Sequence, residues 1–579
     1  MTLTAKFEPV KYTRLILNLI LLGAVSLGAL HAWAAASNQS MNEDGISYLD
    51  IGDAIWRGDW EQALNPVWSP LYPLILGGAL RLFQPDMYGE FPLVHGVNFA
   101  IYLLALASFA YFWKQVDLAR QHRLKPEDPP QTGFPDWVFY GFGYLLFTWS
   151  SLVLIEIWAV TPDMLMSALV YLAGGLLLKV SRGQSKPASY ALLGLVLGLG
   201  FLAKTIMLPI SFLFLGACLL STGNLRRKIP RVGVALLVFL LMTGPYILRI
   251  TQASGHFTYG ESGFITYLRH VNQVPFPHWQ GDPAKDNLPF HPSRQIFTQP
   301  RIFEFGSPIG GTYPISFDPS YWYAGVRPDY SLQAIIPGFL TNLLVYFELF
   351  CSDLGLVLGS YLVLILVAAR KGWPARQRPG DWSLAIIAIL VLGLYSLVYV
   401  SGRYIAIGVI LLFADLTANL ALPDRPIYRR LILAASAVML LGLLGNLLAV
   451  NLEGLTQLIA KSEPQASGTT GAPMPAWPGE VAEELQNLGV RPGEPVAVIG
   501  YAYSAFWARL ARVKIIAEML DTDASAFWYG TAELKQTVIQ AFRSTGARAI
   551  VGESVPDGAG TDSWRQVGDT NVYIYLFNE

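Results

Sequence analysis

The chain has 579 residues, 53% of them hydrophobic and 14% charged, against about 25% charged in an ordinary soluble domain. Its 40 Lys and Arg against 41 Asp and Glu leave a net charge of −1, so no overall attraction to nucleic acid operates. With only Cys218 and Cys351, neither a disulfide framework nor a cysteine-rich zinc site is available.

Apolar residues fall in blocks of about 17–22, the length that crosses a bilayer as a helix. The chain therefore reads as an α-helical polytopic membrane protein. Eleven spans are expected, at 15–35, 92–113, 136–155, 163–180, 189–203, 205–221, 232–250, 353–369, 382–400, 404–421 and 431–452. The first could also be a signal peptide ending at Ala34-Ala35-Ala36, but its apolar run is long enough to span and reads as uncleaved. Cations collect at every second junction: Lys6, Lys11 and Arg14; Lys114 to Lys125; Lys179, Arg182 and Lys186; Arg226 to Arg231; Arg370 to Arg378; Arg425, Arg429 and Arg430. Short loops rich in Lys and Arg stay cytoplasmic, which puts the amino terminus inside and the carboxyl terminus outside.

Residues 1–452 thus form a membrane domain with external loops at 36–91 and 251–352. A Pro/Gly/Ser/Thr-rich linker at 453–480 follows. Beyond it, helical patterns at 481–488, 503–510 and 532–543 alternate with strand patterns at 495–499, 513–516, 548–551 and 572–577. This predicts a small extracytoplasmic α/β domain over 481–579. It carries no GxGxxG or P-loop, and a lid or docking module is the expected role.

Charges are scarce in the external turns, so those present stand out. Glu43-Asp44 follows the first span and opens a stretch in which Ile46, Leu49, Ile51, Ile55 and Trp56 share a helical face, as in an interfacial helix. Asp44 there could also cap that helix. Glu156 and Asp163 flank the short turn before the fourth span, where Pro162 and Asp163 also suit a helix start. Lys204 lies in the turn after the fifth span, and Arg403 is the one cation of the turn before the tenth. The predicted topology gathers these groups on one membrane face. Two cations can neutralise a lipid phosphate, while a carboxylate accepts a proton from an attacking hydroxyl. Trp68-Ser-Pro-Leu-Tyr72-Pro re-enters the membrane, and Tyr313, Tyr321, Trp322, Tyr323 and Tyr330 crowd the second loop; such rings stack on sugars or form an interfacial belt. His256, His270, His278 and His291 share that loop at spacings that match no compact zinc motif.

Glu43-Asp44, Trp68-Ser-Pro-Leu-Tyr-Pro, Thr161-Pro-Asp163, Gly200-Phe-Leu-Ala-Lys204 and Gly402-Arg-Tyr404 together resemble the C-type glycosyltransferases. The branch resembled is the bacterial one related to protein O-mannosyltransferases and the lipid A aminoarabinose transferase. The likeness covers about 1–450 and is diffuse; the order and membrane side of the motifs strengthen it. It implies a multi-spanning fold in the bacterial cytoplasmic membrane and a site on the outer face. It also implies a polyprenyl-phosphate sugar as donor and inversion at the anomeric carbon. By the same resemblance Asp44 is the catalytic carboxylate, Asp163 a second acid, and Lys204 with Arg403 the donor-phosphate ligands. Glu43, Glu156, Trp68 and Tyr72 are accessory candidates. Some relatives use a divalent metal such as Mg or Mn and others do not, so a metal on Asp44 and Asp163 stays open.

The expected activity is transfer of one sugar to an extracytoplasmic glycan, lipid or protein acceptor. A transporter or lipid flippase is the rival, and would place ionisable residues in mid-span. A non-catalytic assembly subunit is the third reading.

Overall fold

A computed structural model describes residues 9–38, 41–123, 131–183, 186–221, 224–274, 293–305, 310–323, 326–369, 379–420, 422–423, 426–462 and 478–577. Lys6, Lys125, Arg370, Lys371, Arg376, Arg378, Arg425, His278, His291 and most of the expected linker lie outside these residues.

Among the described residues, eight helices are long and apolar enough to cross a membrane, and five shorter apolar helices accompany them. The first runs unbroken over Pro9–Ser37. Most of the expected spans match helices to within a few residues, with one clear difference. The sequence reading carries the second loop to residue 352, whereas an apolar helix already starts at Leu332. It descends antiparallel beside the Ser383–Ser396 helix: Asn342 Nδ2 donates to the Ser396 carbonyl and, one turn on, Tyr346 to that of Leu392. A π-helical turn at Glu348–Asp353 joins it to the Gly355–Ala369 helix. Pro337, Gln333, Thr341 and Asn342 interrupt it, yet its mean hydropathy equals that of the Asp163–Ser181 span.

The expected interfacial helix spans Asp44–Arg57 and is mostly buried rather than lying on a surface. It crosses the Leu71–Phe83 helix at Gly52 and Gly77. A Cβ on Gly77 would sit 2.5 Å from the Gly52 carbonyl oxygen, so only glycine permits this approach. Asp59 caps the short Trp60–Ala63 helix by accepting from the Gln62 amide at 3.3 Å.

Two residues of β1 (Gln131–Thr132) pair antiparallel with β4 (Leu422–Pro423) at the opposite end of the bundle. A seven-stranded sheet is built from β2 (Ser293–Thr298), β3 (Arg301–Phe305), β5 (Pro495–Gly500), β6 (Lys514–Leu520), β7 (Ala549–Gly552), β8 (Arg565–Gln566) and β9 (Tyr573–Leu576). Its order is β2-β3-β6-β5-β7-β9-β8, with β6, β5 and β7 parallel. The hairpin β2–β3 comes from the segment between the Ser262–His270 and Leu332–Phe347 helices and pairs antiparallel with β6. Residues 481–577 therefore share their sheet with the membrane region. The pattern-based helices and strands of this region are present, and the Asp521–Trp528 helix and β8 are additional.

The contact is pinned by charge. Arg509, 3% exposed, pairs with Asp50 at 2.8 Å, Asp53 at 2.7 Å and Glu90 at 2.8 Å. Arg512 adds Asp53 at 3.0 Å and Glu90 at 2.5 Å. Asp50 also accepts from Thr312, through its backbone N at 2.6 Å and its hydroxyl at 2.9 Å.

Candidate active site

Helix ends place the charged residues. Asp44, Asp163 and Arg403 lie in the first turns of the Asp44–Arg57, Asp163–Ser181 and Gly402–Asn419 helices. Lys204 directly follows the Pro187–Ala203 helix. Three amino-terminal helix ends thus meet beside two cations, a field that favours a bound anion. Gly402 permits the approach, since a Cβ there would come within 3.0 Å of the Leu154 carbonyl oxygen.

The Lys204 ammonium meets Asp163 Oδ1 at 2.5 Å, and the Asp163 side chain is only 1% exposed. The same ammonium sits 4.0 Å from the Tyr404 ring centroid, with the Arg403 guanidinium 5.1 Å from that ring. Arg403 reaches Asp44 Oδ2 at 3.5 Å, and the Asp44 side chain is 34% exposed. The four charges feel one another electrostatically and form one cluster. The helix-cap alternative for Asp163 finds no hydrogen bond: Pro162 is the capping residue, and Asp163 is spent on Lys204.

Glu43, Asp44, Glu156 and Arg403 line a cleft of about 710 Å³, with Arg269 of the second loop and Ser504 and Phe506 of the C-terminal region. Glu156 has a left-handed backbone, φ 61°, which is uncommon outside glycine and concentrates at functional positions. Burial raises its pKa, opposed by Arg403.

Trp68 and Tyr72 stand behind the site rather than in the cleft. Both meet Tyr48 edge-on, at 5.0 and 5.2 Å. The Tyr72 hydroxyl donates to Asn98 Oδ1 at 2.6 Å, and Asn98 Nδ2 donates to the Ala159 carbonyl at 3.2 Å. Asn42 accepts from the Val160 amide at 2.7 Å, tying the Asp44 turn to the Glu156–Asp163 turn. Trp68 donates to the Ser316 carbonyl at 3.1 Å. These two aromatics are scaffold here, not an exposed stacking surface. Of the loop histidines, His270 stacks on Tyr399 at 3.8 Å and is held down to about 4 by burial and Arg269. His256 pairs with Glu261 at 3.1 Å.

Sequence reasoning gave no role to Tyr48, Tyr404, Asn42 or Arg269. Aromatics near a membrane face read as an interfacial belt, and only Tyr404, adjacent to Arg403, carried a local signal.

Asp44 and Asp163 would be the ligands of a divalent ion. Each faces a cation instead, and among the described residues no group of three His, Cys, Asp or Glu converges. As arranged, this donor set does not fit a dication, and no step below uses one.

With this geometry in place, the chain superimposes on ArnT from Cupriavidus metallidurans in the apo state, with a TM-score of 0.50 and 14% identity over 96% of this chain and 97% of that one. The chain has the C-type glycosyltransferase fold. ArnT bound to undecaprenyl phosphate aligns with a TM-score of 0.48 at 13% identity, covering 96% and 97% of the two chains. The Archaeoglobus fulgidus oligosaccharyltransferase in complex with Zn and sulfate aligns at 0.45 and 14% identity, over 93% of this chain and 67% of that one. No family model matches the sequence, and no curated protein matches it.

Proposed function

We propose that this protein is a membrane glycosyltransferase. It moves one sugar from a polyprenyl-phosphate donor to a hydroxyl of an extracytoplasmic acceptor by a single inverting displacement. The observation that carries the reading is the unequal solvent access of two carboxylates in one charged cluster. Asp163 is sealed against Lys204, while Asp44 is one-third open to the cleft.

Roles follow from that difference. Asp44, reachable by an acceptor, takes the hydroxyl proton as the oxygen attacks the anomeric carbon. Lys204 and Arg403, at converging helix ends, stabilise the negative charge that grows on the departing lipid phosphate. Asp163 orients the Lys204 ammonium, and the Tyr404 ring holds both cations near it. Bond-making at the sugar carbon and loss of the phosphate oxygen occur on opposite faces, which accounts for inversion.

The test is mass spectrometry of lipids that copurify with the protein, followed by transfer from the lipid found. A polyprenyl phosphate or its sugar ester, with transfer to an envelope fraction, is expected. Absence of both the lipid and any transfer would sink the reading.

A further inference from the structure

The parallel strands β7, β5 and β6 lie side by side in that order. From β5 the chain enters the Phe506–Ala511 helix, whose Trp507, Ala508 and Leu510 join the large core shared with the membrane region. From β6 it enters the Asp521–Trp528 helix, whose Phe527 and Trp528 join a separate core on the other face. Neighbouring strands whose connections leave to opposite faces open a crevice at their carboxyl ends, the usual ligand position in open α/β sheets. Here that edge is turned toward the charged cleft. Ser504 and Phe506 line the cleft, and Phe506 lies edge-on to Phe91 at 6.0 Å.

A single side chain braces the turn that forms this edge. Glu553, directly after β7, accepts from the Trp507 indole at 2.7 Å and from the Tyr501 backbone N at 3.1 Å. Gly500, with φ 153°, lets the turn close over it; a Cβ there would come 2.7 Å from Glu553 Oε2. Tyr501 in turn faces Glu43, the residue before Asp44: burial and the Glu43 carboxylate hold its phenol up at about 12.

We propose that Glu553 is a positioning residue that holds Tyr501–Phe506 as the acceptor-facing wall of the cleft, so that the C-terminal region recognises the hydroxyl-bearing acceptor while the bundle holds the donor. This rests on the glycosyltransferase reading above. A protonation step is built into the brace. Burial raises the Glu553 carboxylate to about 7 against the two hydrogen bonds, with Glu518 of β6 and Asp521 raising it further. Tyr501 and Tyr503 share its turn, and Arg269 faces both tyrosines. Above that pH both carboxylate oxygens accept. Below it one becomes a donor and a bond is lost, so the wall loosens. Glu553→Gln has one acceptor oxygen at every pH.

The experiment titrates a delipidated envelope fraction as acceptor against lipid-linked sugars extracted from the host membrane, at pH 6 and pH 8. For wild type, the acceptor level giving half-maximal transfer should rise about tenfold at the lower pH, as expected for losing one charge-assisted hydrogen bond. Glu553→Gln should show the high value at both pH values, Glu553→Asp should recover part of the pH dependence, and donor half-saturation should not move. Wild-type acceptor dependence and pH profile in Glu553→Gln overturn the proposal. If that variant does not fold, Glu553→Asp and Trp507→Phe, which removes the indole donor to Glu553, decide, and unchanged acceptor dependence in both overturns it. Absence of transfer by wild type overturns instead the parent reading, and this one with it.

Discussion

Two ionic clusters share the Asp44–Arg57 helix and are built for opposite ends. At its start, Asp44 looks into a cleft at 34% exposure, with one guanidinium 3.5 Å away. Two turns on, Asp50 and Asp53 close around Arg509, which is 3% exposed and also holds Glu90. The second cluster has two arginines against three carboxylates at short range, and Thr312 takes up further valence of Asp50. A cluster closed around a buried, multiply paired arginine fixes register between two parts of a chain, whereas one with a single long contact keeps a charge in hand for a ligand.

The largest expected effect of breaking the contrast is at Asp44. Asp44→Asn keeps the shape and removes the proton acceptor, so turnover should fall by about 10²–10⁴-fold while donor affinity hardly changes. Full turnover in the folded variant would refute the base assignment. Arg509→Met leaves Asp50 with Thr312 alone and Asp53 and Glu90 with Arg512 alone, and losing one partner of such a buried cluster costs about 3–5 kcal/mol. Hydrogen exchange should then rise through the Phe506–Ala511 helix and the Asp44–Arg57 helix together; unchanged protection in both would show that the pin is dispensable.

Lys204→Ala comes next. Losing a charge-assisted contact to phosphate costs about 1.5–3 kcal/mol, so donor affinity and rate should both drop. It also leaves Asp163 buried without its cation, so the melting temperature is needed as a folding control. Asp163→Asn sharpens the point: with the ammonium less well oriented, donor affinity should weaken more than acceptor dependence, and the reverse would assign Asp163 to the acceptor. The smallest effect is expected at Tyr404→Leu, which removes a cation–π contact worth about 0.5–2 kcal/mol. Donor binding in the Tyr404→Leu, Lys204→Ala cycle should be less than additive, because the ring acts through that ammonium.

The open cluster is far more legible in the sequence than the closed one. Asp44, Asp163, Lys204 and Arg403 lie in apolar turns where charges are scarce, and the expected alternation of spans puts them on one face. Arg509 sits in an ordinary-looking helical stretch, and its partner Asp50 is 459 positions away. Nothing local marks it. The Leu332–Phe347 helix, by contrast, is legible by hydropathy: its mean exceeds those of Asp136–Leu154 and Gly402–Asn419, and only reading 251–352 as one aromatic loop hides it. The β2–β3 hairpin is invisible because the strands are short, the buried Ile302 and Phe303 of β3 are consecutive rather than alternating, and β6, which it joins, lies about 210 residues on in the sequence.

That hairpin bears on how the chain is assembled. A sheet whose edge strands are made long before its centre cannot close when they emerge; β3 must wait while several helices are synthesised and inserted. Contacts so distant in sequence close slowly, and an unpaired strand is a template for wrong partners in the meantime. A protein shortened at the start of its last hundred residues would keep the hairpin and lose β6, leaving that waiting state permanent. Coexpressing residues 478–579 as a separate piece should then restore solubility to the shortened membrane part, because the missing centre of the sheet is supplied in trans.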